Sequence, residues 1–143
     1  MANTSALKEV SEYAITKAEK LLGTTLERKK VPIGTLGKLK TFDGVSENKS
    51  IIVKVLNHSG LTSGRNKPSA KIRSTFADCY FLSLTSYSRK ILILTNQEFY
   101  KIFKEDSYGL LKDIEIMYIK LPDYYKSIAS EVSTQASKEM SKI

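Results

Sequence analysis

The order of residue patterns along the chain predicts an α/β fold in which a central mixed β-sheet is flanked by helices. Three observations support this prediction. Amphipathic helical spacing appears at both ends and in the middle of the chain, and β-branched runs typical of strands lie between the helices. The most apolar run, residues 90–95, has the short continuous form of a strand that is buried on both faces. The length of 143 residues fits one domain over 1–143.

The first half of the chain predicts a helix followed by antiparallel strands. Residues 4–22 repeat apolar side chains every three or four positions, and Gly23 follows where a helix commonly ends. Alternation within 25–45 and the β-branched run 51–55 predict two or three strands, with polar residues 46–49 as a hairpin connection. The alternating apolar residues are Leu36, Leu39 and Phe42.

The second half predicts helices alternating with buried strands. A polar, Gly/Ser-rich stretch over 57–67 predicts an exposed loop, Pro68 is suited to a helix start, and Asn96 is suited to a helix cap. The elements in order are the helix from Pro68 to about Leu84, the strand 90–95, a short helix ending near Glu105, the strand 113–122 and a helix from Asp123 to the end.

Composition limits the function through charge. The chain has 23 Lys and Arg against 15 Asp and Glu, a net charge of +8. This excess favours a polyanionic partner, which is nucleic acid, an anionic membrane surface or an acidic protein. We find no apolar run near the roughly 20 residues of a membrane span and no signal peptide, so we expect a reducing cytoplasm and no membrane partner.

Single copies of two residue types exclude several kinds of site. Cys79 is the only cysteine and His58 the only histidine. An internal disulfide and a thiolate metal cluster are therefore excluded, as are the usual zinc sites and most serine or cysteine triads.

Basic residues concentrate in one acid-free window. No Asp or Glu lies between Glu47 and Asp78. Six cations lie there: Lys49, Lys54, Arg65, Lys67, Lys71 and Arg73. They surround a loop and a helix start, where backbone N–H groups favour anions, so the window predicts a local anion-binding site. A solvated basic loop without a ligand is the alternative, and the loop lacks the spacing of a nucleotide-binding P-loop.

Asp43 and Lys54 stand on strands that a short hairpin would bring together. Asp43 ends the stretch TFDGV, and Lys54 interrupts the apolar run IIVKV. A lysine in an apolar strand is costly unless it is paired or reaches a cleft. We therefore expect an Asp43–Lys54 neighbourhood, with an outward-facing Lys54 as the alternative.

These two motifs and the element order resemble the PD-(D/E)XK nuclease superfamily, from the first helix through KILILTN, about two-thirds of the chain. The resemblance implies a restriction-endonuclease-like fold and a metal-dependent DNA endonuclease that uses Mg²⁺ or Mn²⁺. By the same resemblance Asp43 matches the first acid of the family motif and Lys54 matches its lysine. An archaeal Holliday-junction resolvase is a related type, but its N-terminal arginine–glutamate signature is missing here.

The second acid position of the motif departs from the family, because Ile52 stands there and cannot ligate a hard cation. In some members of the family that acid lies on the following helix instead, where Asp78 is the candidate. The alternative is that the catalytic site has been lost and the domain binds DNA or a partner without cutting. Asp78 as an exposed residue paired to a neighbouring lysine is a further alternative. The family's first helix sometimes supplies a glutamate, but Glu9 and Glu12 lie nearly opposite the apolar stripe, so we expect them to be exposed.

The resemblance thus implies catalytic roles for Asp43, Lys54 and Asp78, with the metal on Asp43 and Asp78. The basic window supplies the DNA-backbone contacts, which we assign to His58, Arg65, Lys67, Lys71 and Arg73. A homodimer is expected if both strands are cut, since symmetric sites match two-fold assemblies.

Overall fold

The computed structural model describes residues 4–60 and 66–130. Its elements in chain order are α1 (Thr4–Leu22), β1 (Glu27–Ile33), β2 (Lys38–Val45), β3 (Ile51–Leu56), α2 (Ser69–Ser83), β4 (Arg89–Leu94), α3 (Gln97–Asp106) and β5 (Ile114–Tyr118). A further helix covers 123–130. The expected continuation of that helix to the C-terminus lies outside the described residues. No helix in the described part of the chain is long and apolar enough to cross a membrane.

The five strands form one mixed sheet in the order β1-β2-β3-β4-β5. β1, β2 and β3 pair antiparallel, whereas β3, β4 and β5 pair parallel. Tight turns are sufficient for antiparallel neighbours, but parallel neighbours need crossovers, which α2 and α3 provide. The prediction of a central mixed sheet flanked by helices is confirmed.

Two hydrophobic clusters cover the two faces of the sheet. On one face, side chains of α2 and α3 such as Leu82 and Phe99 pack against the strands. On the other face, Ala14 and Ala18 of α1 pack against β3 and β4. All four side chains of β4 over 91–94 are fully buried, which confirms the prediction for this run.

Local sequence signals place most helix ends as expected. The side chain of Asn96 accepts a hydrogen bond from the backbone N–H of Phe99, as the capping prediction requires. α2 begins directly after Pro68 and has no side-chain cap.

One expected strand position is wrong. Leu36 lies in the turn between β1 and β2 and not in a strand, and its side chain is 96% exposed. Gly34 and Gly37 flank it with φ angles of 71° and 65°, a left-handed conformation that glycine adopts readily. The two glycines therefore reverse the chain where the apolar alternation alone predicted an extended strand.

Candidate functional site

The β2–β3 ladder opens next to Asp43. The last register pair on this side joins Gly44 to Val53. Oδ2 of Asp43 then accepts a hydrogen bond of 2.7 Å from the backbone N–H of Val55. The carboxylate thus replaces a strand carbonyl as the acceptor, and this bond fixes its position where the two strands separate.

Two cations approach this carboxylate. Nζ of Lys54 lies 3.8 Å from Oδ2 of Asp43, and Nη1 of Arg28 lies 3.5 Å from Oδ1. The side chains of Asp43 and Lys54 are only 10% and 24% exposed. The predicted Asp43–Lys54 neighbourhood is confirmed, and the alternative of an outward-facing Lys54 is wrong. Lys54 is tolerated in an apolar strand because it reaches a partner at the point where the ladder opens.

Asp78 lies on α2 and belongs electrostatically to the same cluster. Its side chain is half-buried, and burial is the main cause of a raised pKa. The charges of Lys54 and Lys40 act to lower that pKa, while the charge of Asp43 raises it further. Asp78 therefore lies within electrostatic range of Lys54, Lys40 and Asp43.

Ile52 contributes packing and no chemistry. Its side chain is fully buried in the cluster beneath α2 and α3. An aliphatic side chain offers no oxygen to a cation. Any second carboxylate near Asp43 must therefore come from outside β3.

His58 and Lys71 extend the cluster past the end of β3. Nζ of Lys71 donates a hydrogen bond of 2.7 Å to Oγ of Ser59, and burial lowers the pKa of Lys71. The His58 ring meets Phe99 edge-on at 5.4 Å, and its Nε2 atom has no partner among the described residues. Burial and the charges of Lys71 and Lys54 lower the pKa of His58 from 6.5 to about 4. The imidazole is therefore neutral at pH 7, and an anion bound between the two lysines would raise its pKa.

The remaining residues of the basic window have different surroundings. Nζ of Lys67 lies 2.9 Å from Oδ1 of Asp106 on α3, and this hydrogen bond raises the pKa of Lys67. The window is acid-free in sequence but not in space, because folding brings Asp106 to it. Arg73 is exposed on α2. Arg65 lies outside the described residues.

A second group of cations was missed from the sequence. No acid lies between Glu27 and Asp43. Five cations lie there: Arg28, Lys29, Lys30, Lys38 and Lys40. The first window was found by searching the sequence for cations in a stretch without Asp or Glu. The same search would also have found the stretch between Glu27 and Asp43. Arg28 and Lys40 from this group both act on the Asp43–Asp78 cluster.

Glu9 and Glu12 of α1 are exposed, as predicted. Glu12 nevertheless lines a cavity of about 500 Å³ together with Arg28 and Asp43. Within 4–60 and 66–130, no group of three or more His, Cys, Asp or Glu side chains is arranged to hold a metal ion.

Comparisons with protein-family models, curated proteins and solved structures give no match.

Proposed function

We propose that this chain is a metal-dependent DNA endonuclease of the PD-(D/E)XK type that acts in a reducing cytoplasm. The observation that supports the proposal most is the Asp43–Lys54 pair, held at an opening in the sheet with Asp78 electrostatically coupled to it. A half-buried acid such as Asp78, whose pKa is raised by burial, is the kind of perturbed group that often marks a functional site.

The donor set fits a Mg²⁺ or Mn²⁺ ion. Such ions take oxygen ligands, and Mg²⁺ commonly uses one or two carboxylates together with substrate phosphate oxygens and water. The charge of Asp43 raises the pKa of Asp78, so a cation shared by both carboxylates would relieve their repulsion. When bound, the metal would polarise the phosphate and activate water.

The protein's own groups would bind and orient the DNA backbone. The backbone N–H of Val55 holds Asp43 in place, and Lys54 supplies a positive charge beside it. Lys71 and the exposed Arg73 lie on α2, which has no acid in its first turn, so the helix start favours a phosphate. A phosphate near Lys54 and Lys71 would also stabilise the protonated form of His58.

Cleavage of supercoiled plasmid and branched DNA with Mg²⁺ or Mn²⁺ tests the proposal. We expect Asp43→Ala, Lys54→Ala and Asp78→Asn each to lower the rate at least about 100-fold, or about 2.7 kcal/mol of transition-state stabilisation. Matched controls are Asp113→Asn and Lys112→Ala, since both residues are exposed, and their rates should equal that of the wild type. Equal background activity in the wild type, the three site variants and the two control variants would refute the proposal that the chain is an endonuclease.

A second candidate is a DNA-binding or assembly module of the same fold that does not cut. Ile52, fully buried at the second acid position, and the engagement of both Asp43 oxygens by Arg28 and Val55 favour this candidate. It predicts DNA binding that weakens steeply with salt and no affinity for Mn²⁺. A calorimetric Mn²⁺ titration distinguishes the two candidates, because only the nuclease should bind the ion and lose that binding in Asp43→Ala.

Two-strand cleavage would further imply a homodimer, because each chain carries one proposed site. Sedimentation of the DNA complex tests this, with two chains per cut site as the expected stoichiometry.

A further inference from the structure

The hairpin formed by β1 and β2 presents apolar side chains to solvent at its end. Leu36 in the turn is 96% exposed, and Leu39 at the start of β2 is 62% exposed. Gly34 and Gly37 shape the turn that lifts Leu36 outward. Leu36 and Leu39 thus leave apolar surface available for contact at the end of a charged ribbon.

The hairpin has cations on both faces. Lys40 pairs with Val31 and Lys38 with Ile33, and both apolar partners belong to the cluster on the α2 face. Alternation along β1 places Lys30 on the opposite face. Arg28 also lies on that opposite face, where it lines the cavity beside α1. No acid lies between Glu27 and Asp43 in the sequence, and of these cations Arg28 is paired with Asp43 in the fold.

Charges on both faces of a ribbon match a DNA groove. The major groove admits a two-stranded β-ribbon, and phosphate backbones border the groove on both sides. A flat anionic membrane would meet one face of the ribbon and leave the cations of the other face unused. Charge complementarity therefore favours nucleic acid over a membrane surface.

The hairpin also contacts α2 and the residue that follows it. The backbone N–H of Gly34 donates to the carbonyl of Leu84 at 3.4 Å, and Nζ of Lys40 lies 4.2 Å from the centre of the Phe81 ring. Its base reaches the candidate site, because Arg28 pairs with Asp43. A preorganised ribbon loses little freedom on binding.

We propose that the β1–β2 hairpin lies in a DNA groove, contacts phosphates with its cations and inserts Leu36 between neighbouring bases. Proteins that insert an apolar wedge unstack a base step, and this costs least where the pairing is already interrupted. The preferred substrate is therefore DNA with an opened step, such as a mismatch bubble or a branch. This inference rests on the proposed DNA binding but not on cleavage.

Binding of the full chain in EDTA to an intact duplex and to the same duplex with a two-base bubble tests the inference. A 2-aminopurine beside the bubble reports unstacking through its fluorescence. We expect the wild type to prefer the bubble at least about tenfold and to raise the fluorescence. Leu36→Ser should lose both effects and keep its duplex affinity within about twofold, whereas the matched control Leu21→Ser, at a site 62% exposed on α1, should retain both.

The charge contribution is tested separately with Lys30→Ala. Loss of one phosphate contact should reduce the slope of log affinity against log salt by about 1, and Lys112→Ala should leave the slope unchanged. A Leu36→Ser protein that keeps the bubble preference, or an unchanged slope in Lys30→Ala, would overturn the hairpin inference and leave the proposed function standing. A wild type that binds no DNA at low salt, or binds only phosphatidylserine vesicles, would overturn both.

Discussion

The parallel and the antiparallel parts of the β-sheet differ in how helices cover them. β4, in the parallel part, has four consecutive fully buried side chains over 91–94, since helices lie on both of its faces. β2, in the antiparallel part, begins with the exposed residues Lys38 and Leu39. Parallel connections need crossovers, and these bring helices onto the sheet, whereas a hairpin turn brings no cover. Connectivity therefore concentrates stability in one part of the sheet and leaves polar groups accessible in the other.

β3 is where the two environments meet. Ile52 and Val53 are fully buried like the residues of β4, but the next residue, Lys54, reaches Asp43 on β2. The candidate site thus lies where the covered part of the sheet gives way to the hairpin. Chemistry at this border can use charged groups that the apolar core itself excludes.

The largest effect on the free energy of unfolding should come from a substitution in the parallel part of the sheet, which helices cover. Leu92→Ala removes a fully buried side chain of β4 and should lower the free energy of unfolding by about 2–5 kcal/mol, because a cavity remains. Leu36→Ala in the hairpin turn should change it by less than about 0.5 kcal/mol, since Leu36 is exposed. Urea denaturation measures both. Similar decreases in the free energy of unfolding in the two variants would contradict the conclusion that the parallel part of the sheet contributes more stability than the hairpin turn.

His58, at the border, should make stability depend on pH. Its folded-state pKa of about 4 lies below the ordinary 6.5, so the unfolded chain binds more protons between these values. Stability is therefore fully present above about pH 6.5 and is lost as the pH falls toward 4, by about 3 kcal/mol. Denaturation of the wild type and His58→Gln across this range measures the difference in slope. The glutamine variant should lose the His58 contribution to this dependence, and parallel curves would show that His58 does not titrate as the structure requires.

The smallest effect on the free energy of unfolding should come from substitution of Asp78. Because its pKa is raised in the folded chain, the ionised carboxyl opposes folding once the pH exceeds that folded-state pKa. Asp78→Asn should therefore slightly raise the free energy of unfolding at pH 7 while abolishing cleavage, the pattern of a site that trades stability for activity. Urea denaturation and the plasmid assay measure the two quantities. A less stable variant that still cuts would show that Asp78 has a structural role only.

Much of the fold follows from local patterns. Residues 4–22 form the expected helix, the run 90–95 contains a strand buried on both faces, and Asn96 caps the expected short helix. The turn at Leu36 was missed because the apolar alternation was followed through two glycines that reverse the chain. Turn conformation overrides periodicity at such positions.

The candidate site was predictable only in part. A short hairpin joins the strands that carry Asp43 and Lys54. Their small separation in the sequence was therefore enough to predict that the two side chains lie close together. The alternatives open for Asp78 could not be separated in the same way, because its surroundings depend on how α2 packs on the sheet. The hairpin cations were visible in the sequence, but their distribution over two faces required the strand register.

The sequence by itself determined the elements, their order and the Asp43–Lys54 pair, because periodicity, caps and short connections act between near neighbours in the chain. Only the tertiary structure decided which charged groups are paired and which pKa values are shifted. It paired Lys67 with Asp106, half-buried Asp78 so that its pKa is raised, and kept His58 uncharged. The physical reason is that Coulomb interactions and desolvation depend on distance and burial in space, whereas the sequence orders residues only along the chain.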